Sequence, residues 1–311
     1  MLRPTSPNAP RLGSGRHFHG RFCYGPRVLT VDEFESAFRG ANKVRFKLGL
    51  PEVRRVLVLT DLEGEAHAEY CAAARALIGD VGAGAEYVDF DSSALAGVEG
   101  VLALVRDAAP DLVCTYRNLK TDAWRWNYSL GVYLNAVTRG FDFPVVVTPS
   151  PHAFPVAGWE HRSTDRAMAV TDRLTGDDAL VNWALKITDP GGTLWLTHVE
   201  DADVFDRYIR AIAKIPSINT GNAREVILDQ LLREPHDYIQ SCVDALTKAS
   251  TERKIEQVIT LARSVADYRA MIEDKGANML IFRTMEQDHI ALHGIAYSLA
   301  VELTDTPLLM L

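Results

Sequence analysis

The sequence predicts an α/β fold: two doubly wound, Rossmann-like domains in tandem, each built on a parallel sheet. Three observations carry this. Short apolar runs alternate with helix-period segments from Arg54 onward, the pattern that makes crossover units of a parallel sheet. The closing stretch, 278–311, reads as a strand at Met279 to Phe282, a polar turn at Arg283 to Gln287 and a helix, with a last apolar run at Leu308 to Leu311. The stretch 111–148 has the same grammar, and Gly131, Asp142 and Pro144 stand at the spacing of Gly294, Asp305 and Pro307. Matched hydrophobic pattern and matched punctuation together read as an internal repeat.

The totals agree with two globular domains. A chain of 311 residues is long enough for two cores. Its 47% apolar and 24% charged content is that of a soluble protein. A net charge of −8 argues against a surface built to neutralise nucleic-acid phosphates. Cys23, Cys71, Cys114 and Cys242 are scattered and form no CxxC pair, which suits a reducing cytoplasm and buried thiols. No apolar run reaches the roughly 18–20 residues that span a bilayer.

Residues 1–52 read as a partly flexible extension. Its first part lacks acidic residues but carries Arg3, Arg11, Arg16, Arg21 and Arg27, a composition suited to a tail lying on an acidic body. Within it, 28–38 reads as a strand-like VLTV followed by a short helix that Asp32 can cap. The first domain covers 53–149. Arg54 to Thr60 is its opening strand, followed by a helix with Ala68, Cys71, Ala74 and Ile78 on one stripe. Strand 85–90, a helix with Leu95, Val98, Leu102 and Val105 inward, strand 111–116, a helix through Gly131 and strand 144–147 complete it.

Residues 150–165, rich in Pro, His and Ser without a period, read as the linker. The second domain, 166–311, opens with the strand RAMAVT, then a helix with Leu180, Trp183, Ala184 and Ile187, then the strand TLWLTHV. A helical insertion near 202–250 shows three patterns, with Asn222 and Pro235 suited to helix starts. Strand 254–261 and helix 265–274 lead into the closing stretch.

Four of these features resemble the universal stress protein family, as a tandem over roughly 54–311. They are the opening strands VLVLTD and AMAVTD, the strand TLWLTHVED, the stretch RSVADYRAMIEDKGANMLIF and the Gly, helix, Pro, strand ending of both repeats. The resemblance implies five parallel strands in the order 3-2-1-4-5, with ligands at the carboxyl ends where the order reverses. It also implies ATP or AMP as the cofactor class, held by a G-x2-G-x9-G loop followed by Ser or Thr. Glycines let backbone N–H groups approach phosphate, and the hydroxyl adds a donor at the helix start.

This chain keeps only the third glycine. Asn118 and Thr121 stand where the first repeat would have glycines, Ile281 and Thr284 in the second, and Val132 and Ile295 replace the hydroxyl residue. The first domain is also one βα unit short.

The resemblance carries Asp61 and Asp172 over to the adenosine end of a nucleotide, and Val88 and Val199 to adenine framing. A strand-ending aspartate also caps the next helix, and β-branched valines suit any strand. Arg117 and Arg283 end equivalent strands, where they would meet phosphate or pair with surface acids. Gly131 and Gly294 start the following helices, and Thr284 and His293 belong to the same second-domain set. His198, at a strand end, reads as structural. His289 and His293 share a helical face without an evident third ligand, so no metal site is assigned. Trp124, Trp126 and Tyr128 can close over a ring, plug the pocket or line a domain interface.

No Ser–His–Asp motif, HExxH or GxxxxGK[ST] occurs, so no catalytic residue is named and an enzyme is the less favoured reading. The expected function is regulatory or stress-protective binding, with the second domain the better site for a nucleotide or small anion. The alternatives are a nucleotide-hydrolysing or transferring enzyme and a ligand-free scaffold. No nucleic acid and no membrane span are expected. The two repeats would pair as an intramolecular pseudo-dimer, with a homodimer open.

Overall fold

The structure is a computed structural model that describes residues 44–126, 129–157, 159, 162–215, 220–283 and 294–311. The stretch 28–38 lies outside the described residues. Residues 43–311 form one compact unit.

Nine strands form one sheet: β1 (Arg55–Leu59), β2 (Glu86–Phe90), β3 (Leu112–Tyr116), β4 (Val145–Thr148), β5 (Arg166–Thr171), β6 (Thr193–Asp201), β7 (Lys254–Ala262), β8 (Met279–Phe282) and β9 (Leu308–Met310). Their order is β2-β1-β3-β4-β9-β8-β5-β6-β7. Every pairing is parallel except β4 with β9, where Val145 faces Met310 and Val147 faces Leu308. β5 to β9 alone have the 3-2-1-4-5 order, and β1 to β4 have the same order without its third strand.

Eight helices connect the strands: α1 (Gly64–Ile78), α2 (Gly97–Ala108), α3 (Val132–Gly140), α4 (Asp178–Ile187), α5 (Ala202–Ile212), α6 (Thr220–Lys248), α7 (Val265–Lys275) and α8 (Gly294–Glu302). The fold is therefore α/β with a mostly parallel sheet. Right-handed crossovers send consecutive helices to opposite faces where the strand order reverses. Those reversals fall between β1 and β3 and between β5 and β8.

Residue type follows position in the sheet. β4, β8 and β9 are buried along their whole length, as apolar strands covered on both faces must be. Leu57, Val146, Leu280 and Leu309 are fully buried, each contributing roughly 1.5–3 kcal/mol by removal from water. The edge strands β2 and β7 are only partly buried and carry Glu86, Asp89, Lys254 and Glu256, charges that blunt pairing with another chain.

Helix starts are fixed by acidic caps. The Asp177 side chain accepts from Leu180 N at 3.0 Å, and that of Asp201 accepts from Val204 N at 3.0 Å. Asp267 accepts from the backbone N–H of Arg263 and Ser264 at 2.8 and 3.0 Å.

Two expectations change. The three helical patterns of 202–250 are two helices, and Pro235 lies inside α6 instead of starting a helix. Proline removes one helical hydrogen bond. Burial of Tyr238, Ile239, Cys242 and Leu246 beyond it keeps the helix on the fold. The aperiodic segment after β4 carries buried residues: Ser150, Trp159 and Thr164 are buried, and the Trp159 ring meets Tyr70 at 6.1 Å.

Candidate functional site

Because β4 and β9 are antiparallel, the carboxyl ends of β1–β4 lie on the opposite edge of the sheet from those of β5–β9. The carboxyl edge of β1–β4 therefore also receives the turn from α8 into β9. Residues from three places meet there: the strand ends of β1 and β3, the segment after β4, and the end of α8.

Asp61 follows β1, and the chain's own donors fill its carboxylate. The Tyr116 hydroxyl donates to one oxygen, and His152 Nε2 lies 2.8 Å from the same oxygen. The Lys120 backbone N–H donates to the other. The Tyr116 oxygen accepts from Asp61 N at 3.0 Å and lies 2.9 Å from the Thr60 hydroxyl. Burial, then the bond to Asp61, pushes the Tyr116 phenol well above its ordinary value. Trp124 stacks on His152, centroids 6.1 Å apart. Asp61 is thus engaged by the protein, which leaves little of it for a ribose. Val88, in β2, pairs with Leu57.

Arg117 follows β3 and turns inward. It is 3% exposed, so it makes no surface ion pair. Nε donates to Ala300 O and Nη2 to Leu303 O, both at 2.7 Å. These are carbonyls at the end of α8, where a helix leaves acceptors unsatisfied and its dipole favours a cation. Burial pulls the Arg117 guanidinium down from 12.5 to about 10, partly opposed by Asp305. Its remaining nitrogen, Nη1, is buried without a partner.

A cavity of about 170 Å³ adjoins it, lined by Arg117, Asn118, Ser150, Trp124, Phe154 and Val301 among others. Asn118 and Ser150 are 4% and 5% exposed, and Asn118 Oδ1 and Ser150 Oγ are also buried without partners. Such atoms are rare in folded proteins and need a reason. Here all three belong to residues that line one cavity.

Gly131 supports the cavity's floor. Its φ is +89°, and a Cβ there would stand 2.7 Å from Asn118 Cα. The glycine lets the α3 start press against the turn after β3, where Asn118 N donates to Leu130 O at 3.0 Å. Its role among the described residues is close backbone approach.

In the second half, Thr171 pairs with His198 on β6 and Ala169 with Ile281 on β8, so Asp172, Val199 and Arg283 stand at neighbouring strand ends. Asp172 is exposed. Val199 is buried in β6, paired with Thr260. Arg283 is held by a two-pronged contact to Asp177, its Nε 2.5 Å from Oδ2. This is the ion-pair alternative to a phosphate contact. His198 sits 3.0 Å from Glu200. Gly294 opens α8, while Thr284, His289, His293 and Tyr128 lie outside the described residues.

Sequence reasoning does not single out Ser150 and His152, and it names Asn118 only as the residue in a glycine's place. The Pro, His and Ser content that read as a linker was the only available signal for two of them.

The fold and this site define a doubly wound α/β protein with a polar cavity at a carboxyl strand edge. No family model matches the chain, and no curated protein sequence matches it significantly. Among solved structures it is similar to a protein of unknown function from Pseudomonas aeruginosa PAO1, at 11% identity and TM-score 0.50, over 83% of this chain and 92% of that one. It is equally similar to a structure from Pseudomonas aeruginosa UCBPP-PA14 assigned provisionally as a universal stress protein, at 10% identity and TM-score 0.50, over 83% and 93%. The shared property is the fold.

Proposed function

We propose that this chain is a regulatory or stress-protective binding protein of the universal-stress kind, a tandem of two such units, and that its ligand is a small organic anion held at Arg117. The observation that carries the reading is the set of three unpartnered buried polar atoms around one cavity. Arg117 Nη1 supplies donors and Ser150 a hydroxyl, which suit a carboxylate or a comparable oxyanion, while Asn118 Oδ1, an acceptor, suits a hydroxyl or N–H elsewhere on the same ligand. Trp124, Phe154 and Val301 suit an apolar or ring-bearing body. The cavity is close in size to an engineered cavity of about 150 Å³ that accepts benzene, so a ring carboxylate matches it and a nucleotide exceeds it. The Ser150 hydroxyl has no base hydrogen-bonded to it, which favours binding over catalysis. Free Cys71, Cys114 and Cys242 support a cytoplasmic setting. Among the described residues no helix is long and apolar enough to cross a membrane.

A second reading places a nucleotide or phosphate at the reversal between β5 and β8, favoured by the full 3-2-1-4-5 order there. It requires Arg283 to exchange Asp177 for phosphate. One experiment separates the two. Thermal shift is measured with benzoate, short-chain carboxylates, phosphate, AMP and ATP on the wild type, Ser150→Ala and Gly294→Val. The expected result is a midpoint rise with benzoate that Ser150→Ala reduces and Gly294→Val does not. A rise only with phosphate or nucleotides, lost in Gly294→Val, would favour the second reading. No shift with any of them rejects both.

A further inference from the structure

A second cluster lies apart from the Arg117 cavity, on the face of β2 that meets α1. His67, Cys71 and Asp89 bring an imidazole nitrogen, a thiol sulfur and a carboxylate oxygen within 4.8 Å of one another. His67 and Cys71 are four residues apart on α1, which puts them on one helical face. Asp89 reaches them from the edge strand β2. We propose that these three residues form a zinc site that clips α1 to the edge strand, independent of the ligand read at Arg117.

Geometry is the first support. Cys71 Sγ lies 3.6 Å from His67 Nε2. Zinc–sulfur and zinc–nitrogen bonds of about 2.3 and 2.05 Å at a tetrahedral angle set these atoms about 3.5 Å apart. The sulfur and imidazole are thus already at ligand spacing, and the carboxylate has to close by no more than roughly 1 Å.

The second support is a polar atom with nothing to bind. Asp89 Oδ1 is buried without a partner, while its other oxygen is paired with Arg75. One oxygen is thus held from outside and the other left for a metal, the arrangement by which outer partners orient a ligating carboxylate. Arg75 is fixed in turn, lying 4.8 Å over the Tyr87 ring.

Charge also balances. A thiolate and a carboxylate neutralise Zn²⁺. Zinc would replace the thiol proton of Cys71, which leaves to solvent. His67 is only partly buried, which gives the metal an entry path and leaves the fourth position to water. The donor set, one nitrogen, one sulfur and one oxygen, suits zinc better than magnesium or calcium, which prefer oxygen alone.

The test uses the full chain, stripped with a chelator and titrated with Co²⁺. One equivalent should produce the near-ultraviolet thiolate-to-cobalt absorption and the visible bands of a tetrahedral centre, and Zn²⁺ should abolish both. Zn²⁺ at about 100 times its dissociation constant should raise the melting midpoint by roughly 3–5 °C. Cys71→Ser should lose the near-ultraviolet band, and Cys114→Ser should keep it. His67→Gln alters a partly exposed side chain that the fold can spare. It should weaken Co²⁺ binding at least tenfold. Absence of the thiolate band, its persistence in Cys71→Ser, or unchanged affinity in His67→Gln overturns the assignment.

Discussion

Replacing Arg117 by methionine tests the junction between the two strand sets. The side chain donates to Ala300 O and Leu303 O at 2.7 Å, so a residue after β3 holds the end of a helix 183 positions later. Two hydrogen bonds from a charged donor contribute roughly 3–6 kcal/mol together. Burying the charge opposes them. The fall in Arg117 from 12.5 to about 10 corresponds to a cost of roughly 3 kcal/mol at neutral pH. Methionine removes that cost and keeps most of the volume, but it strands two carbonyls at about 1–3 kcal/mol each where they stay dry. The expected net loss is about 3 kcal/mol, in line with breaking a buried charged contact from one side. Arg117→Lys should lose less, since an ammonium reaches one carbonyl. Urea unfolding followed by far-ultraviolet circular dichroism and tryptophan fluorescence reads the loss. Amide exchange at the end of α8 should quicken in the same variant. A midpoint change worth under about 0.5 kcal/mol with unchanged slope would refute the reasoning.

Three further outcomes follow from the same contacts. Gly131→Ala should destabilise by more than about 2 kcal/mol, because a Cβ at φ +89° would stand 2.7 Å from Asn118 Cα; a urea midpoint equal to wild type would contradict it. Tyr116→Phe removes the hydroxyl shared by Thr60 and Asp61 and should cost about 2 kcal/mol, checked by the same titration. Asp267 is held below its ordinary value by the N–H groups of Arg263 and Ser264. A carboxyl depressed in the folded state stabilises above its unfolded pKa, and that stability fades as pH falls through the folded value. Asp267→Ala should therefore lower the melting midpoint at pH 7 and match wild type in strong acid; a gap that does not vary with pH would refute the cap.

The architecture was legible because each element carried its own signal. The apolar runs RVLVL, LVCTY and MLIF are strands within a residue or two of the expected ends. The closing run at Leu308 is a strand as expected, and it pairs antiparallel with β4. The caps were local too but fell elsewhere than expected: Asp177, Asp201 and Asp267 act within four positions of their partners, not the strand-ending Asp61 and Asp172. Pro235 misled because proline also tolerates a helix interior when the next turns are buried. The partners of Asp61 were invisible, since Tyr116 and His152 reach it from 55 and 91 positions away.

Arg117 shows why a site can be missed even when its residue is named. Sequence places an arginine at the end of a strand where a phosphate cradle would begin, and local chemistry there permits phosphate or a surface acid. The antiparallel joint of β4 and β9 decides otherwise, because it brings the carbonyl end of α8 to the same edge of the sheet. A guanidinium offers donors on three nitrogens. The helix end takes Nε and Nη2 and leaves Nη1 without a partner, on a residue that lines one cavity with Ser150 and Asn118. Arg283, after the equivalent strand β8, has Asp177 within reach and gives it both prongs. Two arginines in matching places thus end in different states, one spent on an acid and one with a donor to spare. That asymmetry makes the Arg117 cavity the place to look for a ligand.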